Sequence, residues 1–378
     1  NVELAQSIWK YSIHSNNAEL IYFLEEKNLK PTEEALEESI ICHHNEIAHY
    51  LIDNYFYDQI EYKKFIYDAA VKSSNYEFFP TDLNDVDFHI SSCKFKQCFN
   101  LFNLLLNEKK INVDDLSLLT AAKLNNNVDV VNLLISKSNT ILPENFFADS
   151  NLTMITIPSS FISTCKGLFK KCKTLRKVLF KEVSIAKSIN DYAFHSCFSL
   201  VNISIPSSVE YIGEYAFYEC IALKEINIPK SVKSIGWSAF NGCISLVKVI
   251  FQENSSLEFL GKSAFKRCKL LKKIEIPSSV NTIGSDAFGF CSKLMEISFK
   301  NPSQLKEIYF HTFDRCYSLK SITIPPSVTK IDKFAFDFCD QLVEVKILSP
   351  NTFFDEFSFS HCWSLNRRMF QQNYDNLK

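Results

Sequence analysis

The chain has 378 residues, of which 46% are hydrophobic and 22% are charged, so it has the apolar content for a well-buried core and the length of about two domains. No stretch approaches the ~18–20 continuous apolar residues of a membrane-spanning helix. The net charge of −2 conceals two unlike halves: residues 1–137 hold 12 basic and 21 acidic residues, and residues 138–378 hold 29 basic and 22 acidic residues.

The amino-terminal half has helical apolar spacing. Four segments share it, 18–24, 46–52, 101–106 and 130–135, with a weaker copy at 75–79. Asn16-Asn17, His44-Asn45 and Asn126-Asn127 precede three of them, and because Asn is next to Gly in tolerating positive φ, we predict tight turns there. The spacing resembles ankyrin repeats, although the usual turn glycine is absent. The resemblance implies an all-α domain of about five units over residues 1–138.

One group of potential metal ligands lies in this half: Cys42, His43, His44, Glu46 and His49. His44 and His49 are five residues apart across a predicted turn, so they need not share a face. We therefore interpret the group as a helix–turn surface, and the chain contains no Cys-x-x-Cys pair. The sequence predicts no metal site and no cofactor.

In the second half the motif Phe-x-x-Cys-x-x-Leu recurs nine times at intervals of 23 or 25 residues. Its cysteines are Cys172, Cys197, Cys220, Cys243, Cys268, Cys291, Cys316, Cys339 and Cys362. A fixed period of this length predicts one unit stacked on copies of itself. Residues 146–158 match the same register with Asp149 in place of Cys, as a capping copy would. We expect about ten coils over residues 139–378.

Each copy contains Leu-x-x-Ile-x-Ile, whose alternation predicts a short strand with one face inward. Proline follows the strand in four copies and should end it, at Pro206, Pro229, Pro277 and Pro325. The two-residue insertions behind the 25-residue intervals, as at 252–256, fall in the loop after the strand.

A glycine-rich position lies seven residues before each Cys. It reads Asn190, Gly213, Gly236, Gly261, Gly284, Tyr309, Asp332 and Asp355. Since Gly, Asn and Asp tolerate positive φ, we predict a left-handed turn there in each coil, altered at Tyr309.

The nine motif cysteines occupy one slot of the repeat, and their number is odd. Small apolar side chains buried in one layer explain them best, because free Cys behaves as a buried hydrophobe. A disulfide ladder and metal ligation are the less favoured alternatives.

Three motifs recur together over about residues 141–370: Ile-Pro-x-Ser-Val, Ile-Gly-x-x-Ala-Phe and Phe-x-x-Cys-x-x-Leu. They resemble the BspA-like class of leucine-rich repeat proteins. The resemblance implies a repeat solenoid with a parallel concave β-sheet, placed after the helical array. It also implies an adhesin or an interaction module.

Two rows of strand residues should point outward, where a solenoid carries recognition. The first row is Lys177, Asn202, Glu225, Lys248, Lys273, Glu296, Ser321 and Glu344, and the second is Leu179, Ser204, Asn227, Ile250, Glu275, Ser298, Thr323 and Lys346. Apart from Ser204 and Ser298, all are candidate partner-binding residues. An ordinary solvated strand face is the alternative. We expect Leu179 and Ile250 to be exposed apolar anchors.

Enzymatic chemistry is not predicted. Gly261-Lys262-Ser263 imitates the end of a phosphate-binding loop, but Ser256 stands where the loop requires Gly. The mixed signs of the outward rows argue against a nucleic-acid groove. We predict a protein-binding module without a small-molecule substrate; the alternatives are a surface adhesin, a structural spacer and a regulatory fragment of a larger enzyme.

Two features bear on the compartment and favour different answers. Unpaired cysteines and an ankyrin-like half favour a reducing, cytoplasmic setting. The BspA-like resemblance implies a cell surface, where the triplets beginning at Asn151, Asn202 and Asn254 would be glycan acceptors. Both locations stay open at this point.

Overall fold

The computed structural model describes residues 2–57, 59–80, 85–95, 99–107, 111–112, 116–137, 142–158, 165–180 and 186–365. The chain divides into two compact units, Asn1–Asn139 and Thr140–Lys378. The first contains helices and the second contains short parallel strands, as the change of sequence period predicts.

The described helices of the first unit follow one another in pairs. They are α1 Val2–His14, α2 Ala18–Glu26, α3 Glu33–Ile41, α4 Asn45–Tyr55, α5 Gln59–Ser73, α6 Val86–Lys94, α7 Phe99–Asn107, α8 Leu116–Leu124 and α9 Val128–Lys137. The four predicted helical segments are α2, α4, α7 and α9. The weak fifth copy is a single 3₁₀ turn, Tyr76–Phe78, which pairs with α5.

Asparagines form the predicted tight turns in two places. Asn16 has φ 50° and Asn126 has φ 52°, both left-handed. In the turn between α3 and α4 the positive φ of 59° lies on His43, one residue before the predicted pair. Buried amides then tie successive units together, because Asn75 Nδ2 donates to Ile40 O at 2.9 Å and Asn127 Nδ2 donates to Cys93 O at 2.8 Å.

The second unit is built from two rows of parallel strands. In the first row, called the long strands, every strand has four residues except β4, which has two; in the second row, called the short strands, each has two. The long strands are β1 Met154–Ile157, β2 Lys177–Phe180, β4 Asn202–Ile203, β6 Glu225–Ile228, β8 Lys248–Phe251, β10 Lys273–Ile276, β12 Glu296–Phe299, β14 Ser321–Ile324 and β16 Glu344–Ile347. The short strands are β3 Ser188–Ile189, β5 Tyr211–Ile212, β7 Ser234–Ile235, β9 Phe259–Leu260, β11 Thr282–Ile283, β13 Glu307–Ile308, β15 Lys330–Ile331 and β17 Phe353–Phe354. The strand of the expected tenth coil falls beyond residue 365, outside the described residues.

The two strand rows differ in continuity. The short strands pair in one eight-stranded parallel sheet from β3 to β17, whereas the long strands pair in four groups, β1–β2–β4, β6–β8, β10–β12 and β14–β16. Two of the three interruptions, β8 to β10 and β12 to β14, lie at coils of 25 residues. The insertion at 252–256 lies between β8 and β9, as predicted.

Two ladders of side chains fill the core of the solenoid. The rings of Phe147, Phe169, Phe194, Phe217, Phe240, Phe265, Phe288, Phe313, Phe336 and Phe359 stack with centroids 4.9–5.6 Å apart. Each motif cysteine donates its thiol proton to the carbonyl of a Phe in the stack, from Cys172 on Phe147 at 2.8 Å to Cys362 on Phe336 at 3.1 Å. All twelve cysteines within the described residues are free. The nine motif cysteines are therefore core residues, as the sequence indicates.

The prediction of a left-handed turn at the glycine-rich position is wrong. Positive φ occurs two residues later, as at Tyr215 and Ser263, and again just before the motif cysteine. In the four coils that carry Gly213, Gly236, Gly261 and Gly284, glycine has a different role, because the preceding coil approaches closely there. A Cβ on Gly213 would lie 2.5 Å from Asp191 N, and one on Gly261 would lie 2.6 Å from the carbonyl carbon of Gly236. The altered turn expected at Tyr309 is wrong as well, because the positive φ lies on His311, two residues later, as it does at Tyr215 and Ser263.

Candidate functional site

The outward residues of the long strands form the candidate binding surface, which we call the strand face. It consists of the fourteen candidates Lys177, Leu179, Asn202, Glu225, Asn227, Lys248, Ile250, Lys273, Glu275, Glu296, Ser321, Thr323, Glu344 and Lys346. All of them are exposed except Ile250. The strands place them there because successive side chains alternate between the core and solvent. In β6, for example, Ile226 and Ile228 are buried while Glu225 and Asn227 are exposed.

The two predicted apolar anchors have different environments. Leu179 is 39% exposed and stands free of the core. Ile250 is half-buried, whereas the sequence predicts an exposed side chain. It lies in β8 next to Phe251, itself half-buried, at the point where the row of long strands is interrupted.

A cleft opens at this interruption and gives the strand face a distinct centre. Its volume is about 430 Å³, and its wall includes Ile250, Glu275 and Lys300 together with the inserted segment 252–255. We call it the insertion cleft. A volume of this size is large enough to hold one side chain.

Charges on the strand face are paired across neighbouring coils. Lys273 Nζ lies 2.5 Å from Glu296 Oε2, and Lys300 Nζ lies 3.4 Å from Glu275 Oε2. All four side chains are between 41% and 68% exposed, so each pair stabilises the fold by at most about 1 kcal/mol. Weakly held pairs can exchange their partners for charges of a ligand, and both signs are available.

The eight-stranded sheet of short strands, which we call the edge sheet, has a separate charge cluster beside it. Glu210 accepts hydrogen bonds from Lys187 and Lys233, each at 2.7 Å. These two lysines lower the pKa of the Glu210 carboxyl to about 2. The cluster links three successive coils.

Sequence reasoning missed a row of alternating Arg and Phe just before four successive motif cysteines, formed by Arg267, Phe290, Arg315 and Phe338. Arg315 lies over the rings of both Phe290 and Phe338, with Cζ at 4.8 and 5.0 Å from their centroids, and Arg267 lies 6.0 Å from Phe290. All four residues have positive φ, between 55° and 63°. The alternation of Arg and Phe at this repeat position was the signal in the sequence. It is easily overlooked because the other coils carry different residues at the same position.

The histidines and Cys42 of the helical unit do not form one group. His43 Nε2 lies 3.1 Å from Ser73 O, and His49 Nε2 lies 3.4 Å from Glu77 Oε1. Cys42 instead meets His14 and Glu38, which lie on other turns of the helical array. His14 is 28 residues from Cys42 in the chain, so its approach left no signal in the spacing.

The chemistry of the thiols argues against nucleophiles in the solenoid. Burial raises the pKa of Cys291 to about 12 and raises the pKa values of Cys220 and Cys268 well above the ordinary value. Because the thiolate is the reactive form, these cysteines are inert at neutral pH.

The parallel coils, the Leu and Phe core and the outward strand face define a leucine-rich repeat protein. A family model described as the BspA type leucine-rich repeat region, with six copies, matches residues 71–187, 187–302 and 258–378. The chain therefore belongs to the BspA-type leucine-rich repeat family. Such repeats are protein-binding modules and are generally non-enzymatic, which indicates a protein-interaction or surface-protein role. Residues 1–81 match a domain described only as being of unknown function, DUF3447.

Solved structures with similar repeats come from several bacteria. A leucine-rich repeat protein of T. pallidum is 26% identical over 58% of this chain and 83% of its own, with a TM-score of 0.40. One from Bacteroides ovatus is 25% identical over 65% of this chain and 70% of its own, with a TM-score of 0.45. A leucine-rich cell surface protein of Faecalibacterium prausnitzii is 24% identical over 60% and 81%, with a TM-score of 0.32. Comparison with curated proteins gives no match.

The helices were also compared with the requirements of a membrane span. Among the described residues, no helix combines the length and the apolar character needed to cross a bilayer.

Proposed function

We propose that this protein binds a protein partner through the strand face of its leucine-rich repeats, with the insertion cleft at the centre of the contact. The observation that carries the proposal is the contrast between an invariant core and a varied, exposed face. Phe, Cys and Leu recur in every motif copy, while the outward strand positions change from coil to coil. Variation of this kind on a rigid frame is what selective recognition requires.

The cleft determines which partner chemistry fits. Ile250 supplies a half-buried apolar floor, and Glu275 and Lys300 supply one charge of each sign at its wall. Hot spots in protein interfaces are pockets of this type, in which an inserted side chain excludes water while polar groups surround it. We expect an apolar side chain of the partner to enter the cleft, with a charged residue beside it.

The test compares two triple variants of the full chain with the same composition of replaced residues. The first replaces Lys248, Ile250 and Lys273 by Ala on the strand face. The second, the control, replaces Ile244, Lys269 and Lys293 by Ala; these three are exposed in the turns that follow the motif cysteines. Proteins captured from lysate by the wild type should be lost with the strand-face variant and retained by the control variant. Loss with the control alone would refute the proposal.

We further propose that residues 1–138 and 139–378 act as separate domains and that the first is a divergent ankyrin-like array with its own partner. The pairing of helices and the recurrent asparagine ties support this assignment. Deleting residues 1–138 would leave strand-face capture unchanged and remove a second, distinct set of bound proteins. If the deletion and the strand-face variant both lost the same set of bound proteins, the two domains would not have separate partners.

A surface adhesin is the form of this function that family membership favours. Asn151, Asn202 and Asn254 begin glycan-acceptor triplets and are all exposed; Asn202 lies on the strand face and Asn254 in the wall of the cleft. Glycans at the last two would cover the proposed contact. Labelling of intact cells and treatment with a glycosidase therefore distinguish an adhesin from an intracellular scaffold. Protection from the label before permeabilisation, without glycans, would favour the scaffold.

A further inference from the structure

The side chains of His14, Glu38 and Cys42 converge on one point of the helical unit. Cys42 Sγ lies 3.5 Å from His14 Nδ1 and 3.6 Å from Glu38 Oε1, and the latter two atoms are 3.2 Å apart. One sulfur, one nitrogen and one oxygen thus form a small triangle. No solenoid motif and no part of the strand face takes part in it.

The triangle has the dimensions of one face of a tetrahedral zinc site. Zinc binds Cys sulfur at about 2.3 Å and His nitrogen or carboxylate oxygen at about 2.0–2.2 Å. Tetrahedral bonds of these lengths separate sulfur from nitrogen by about 3.6 Å, sulfur from oxygen by about 3.6 Å and nitrogen from oxygen by about 3.4 Å. The two observed sulfur separations lie within about 0.1 Å of these values, and the nitrogen–oxygen separation is about 0.2 Å shorter.

The backbone holds the three residues in place without a metal. Glu38 and Cys42 are four residues apart at the end of α3, so they share one face of that helix. His14 is the last residue of α1, which packs on α3 through a core that includes Trp9 and Ile40. Because both helices end here, their carboxyl-terminal dipoles place negative potential at the site and favour a cation.

The neighbourhood leaves room for a cation with one further ligand. Lys10 pairs with the other carboxylate oxygen of Glu38, Oε2, at 3.5 Å, which leaves Oε1 directed at the triangle. The His14 side chain is 51% exposed, so water can reach the fourth position. Mixed S, N and O donors suit Zn²⁺ better than Mg²⁺ or Ca²⁺, which require oxygen ligands.

We propose that His14, Glu38 and Cys42 form a zinc-binding site that links the carboxyl ends of α1 and α3. Three protein ligands and one water complete its coordination. The motif cysteines do not compete, since each is buried with its thiol bonded to a backbone carbonyl. The site joins the first two helix pairs and would stabilise the amino-terminal end of the array when loaded.

Co²⁺ provides a direct probe, because thiolate ligation produces a charge-transfer absorption band in the near ultraviolet. We expect the full chain to bind one Co²⁺ with this band and Zn²⁺ to displace it. Cys42→Ser should abolish the band. His14→Gln should weaken Zn²⁺ binding at least about tenfold. Loss of a residue that only hydrogen-bonds to a metal ligand already has an effect of that size, and loss of a ligand should have no smaller one. Thermal melting with and without Zn²⁺ adds a second readout, a rise in midpoint that Cys42→Ser removes.

Two control variants separate this site from incidental binding. His49→Gln removes a histidine that is also 51% exposed and paired with a glutamate, but that belongs to no group of three potential metal ligands among the described residues. Cys98→Ser removes a thiol that lies outside the described residues. Both variants should keep the band and the Zn²⁺ affinity. Persistence of the band in Cys42→Ser, unchanged affinity in His14→Gln, or no band in the wild type would each overturn the proposal.

Discussion

Gly261 and Gly289 provide a matched pair of substitutions that tests why the repeat retains glycine. Neither has a positive φ. A Cβ on Gly261 would lie 2.6 Å from the carbonyl carbon of Gly236, 2.8 Å from its oxygen and 2.8 Å from Trp237 N. A Cβ on Gly289 would meet its nearest neighbour, Asp286 O, at 3.4 Å. The first contact is with a rigid backbone and the second is ordinary packing.

The expected cost of Gly261→Ala follows from the separation of two coils. The clashing atoms must move apart by about 0.8 Å to reach ordinary contact, and a gap of that size forfeits a quarter to a half of each neighbouring dispersion contact. Overpacking of a well-packed interior costs about 1–3 kcal/mol, and the hydrogen bond from Gly261 N to Ile235 O at 2.8 Å is strained as well. We expect a loss of about 2–4 kcal/mol in the free energy of unfolding.

Gly289→Ala should have the opposite sign. Replacing Gly by Ala where the backbone accepts it stabilises a protein by about 0.4–1 kcal/mol, because the unfolded chain loses freedom. Urea denaturation followed by far-ultraviolet circular dichroism measures both variants. At about 2–4 °C per kcal/mol, Gly261→Ala should also lower the thermal midpoint by roughly 5–15 °C. Equal losses in the two variants, or a neutral Gly261→Ala, would refute close coil approach as the reason for glycine.

Three further predictions concern the core and the edge sheet. Phe265 lies in the middle of the stack, with rings at 5.1 and 5.6 Å on either side, and Phe265→Ala should lower the free energy of unfolding by about 3–5 kcal/mol. Phe359 is 9% exposed, and Phe359→Ala should lower it clearly less in the same urea titration. Equal losses would contradict a cooperative stack. In the native chain a thiol reagent at neutral pH should modify no more than Cys42 and Cys98, and all 13 thiols should react in urea; rapid native labelling of Cys268 would contradict its burial. Because the folded pKa of Glu210 is about 2 against an ordinary 4.5, its stabilising effect is present above pH 4.5 and is lost as pH falls towards 2. The stability difference between wild type and Glu210→Gln should therefore vanish over that window, and a difference that stays constant down to pH 2 would contradict the pairing with Lys187 and Lys233.

The amino-acid sequence by itself determined the architecture, because a fixed repeat period means that similar structural units stack on one another. Phe, Cys and Leu at fixed spacing allowed the coils, the inward strand residues and the core role of the cysteines to be predicted. The helix pairs of the first half followed from their apolar spacing, and Asn16 and Asn126 were correctly assigned to left-handed turns. Local chemistry was sufficient in each case, because every copy of the pattern reports on the same position.

Tertiary structure decided what depends on the distance between chain segments that are remote in sequence. The sequence suggests that Gly261 serves an unusual backbone conformation. Only the neighbouring coil shows that glycine is needed there because a Cβ would clash with Gly236. The insertion cleft around Ile250 lies where β8 and β10 do not pair, which the spacing does not predict because β2 and β4 pair across an equally long coil. His14 reaches Cys42 only when α1 packs on α3. Periodicity specifies each residue relative to its own repeat, whereas a close approach depends on how two separate segments are held together by the core between them.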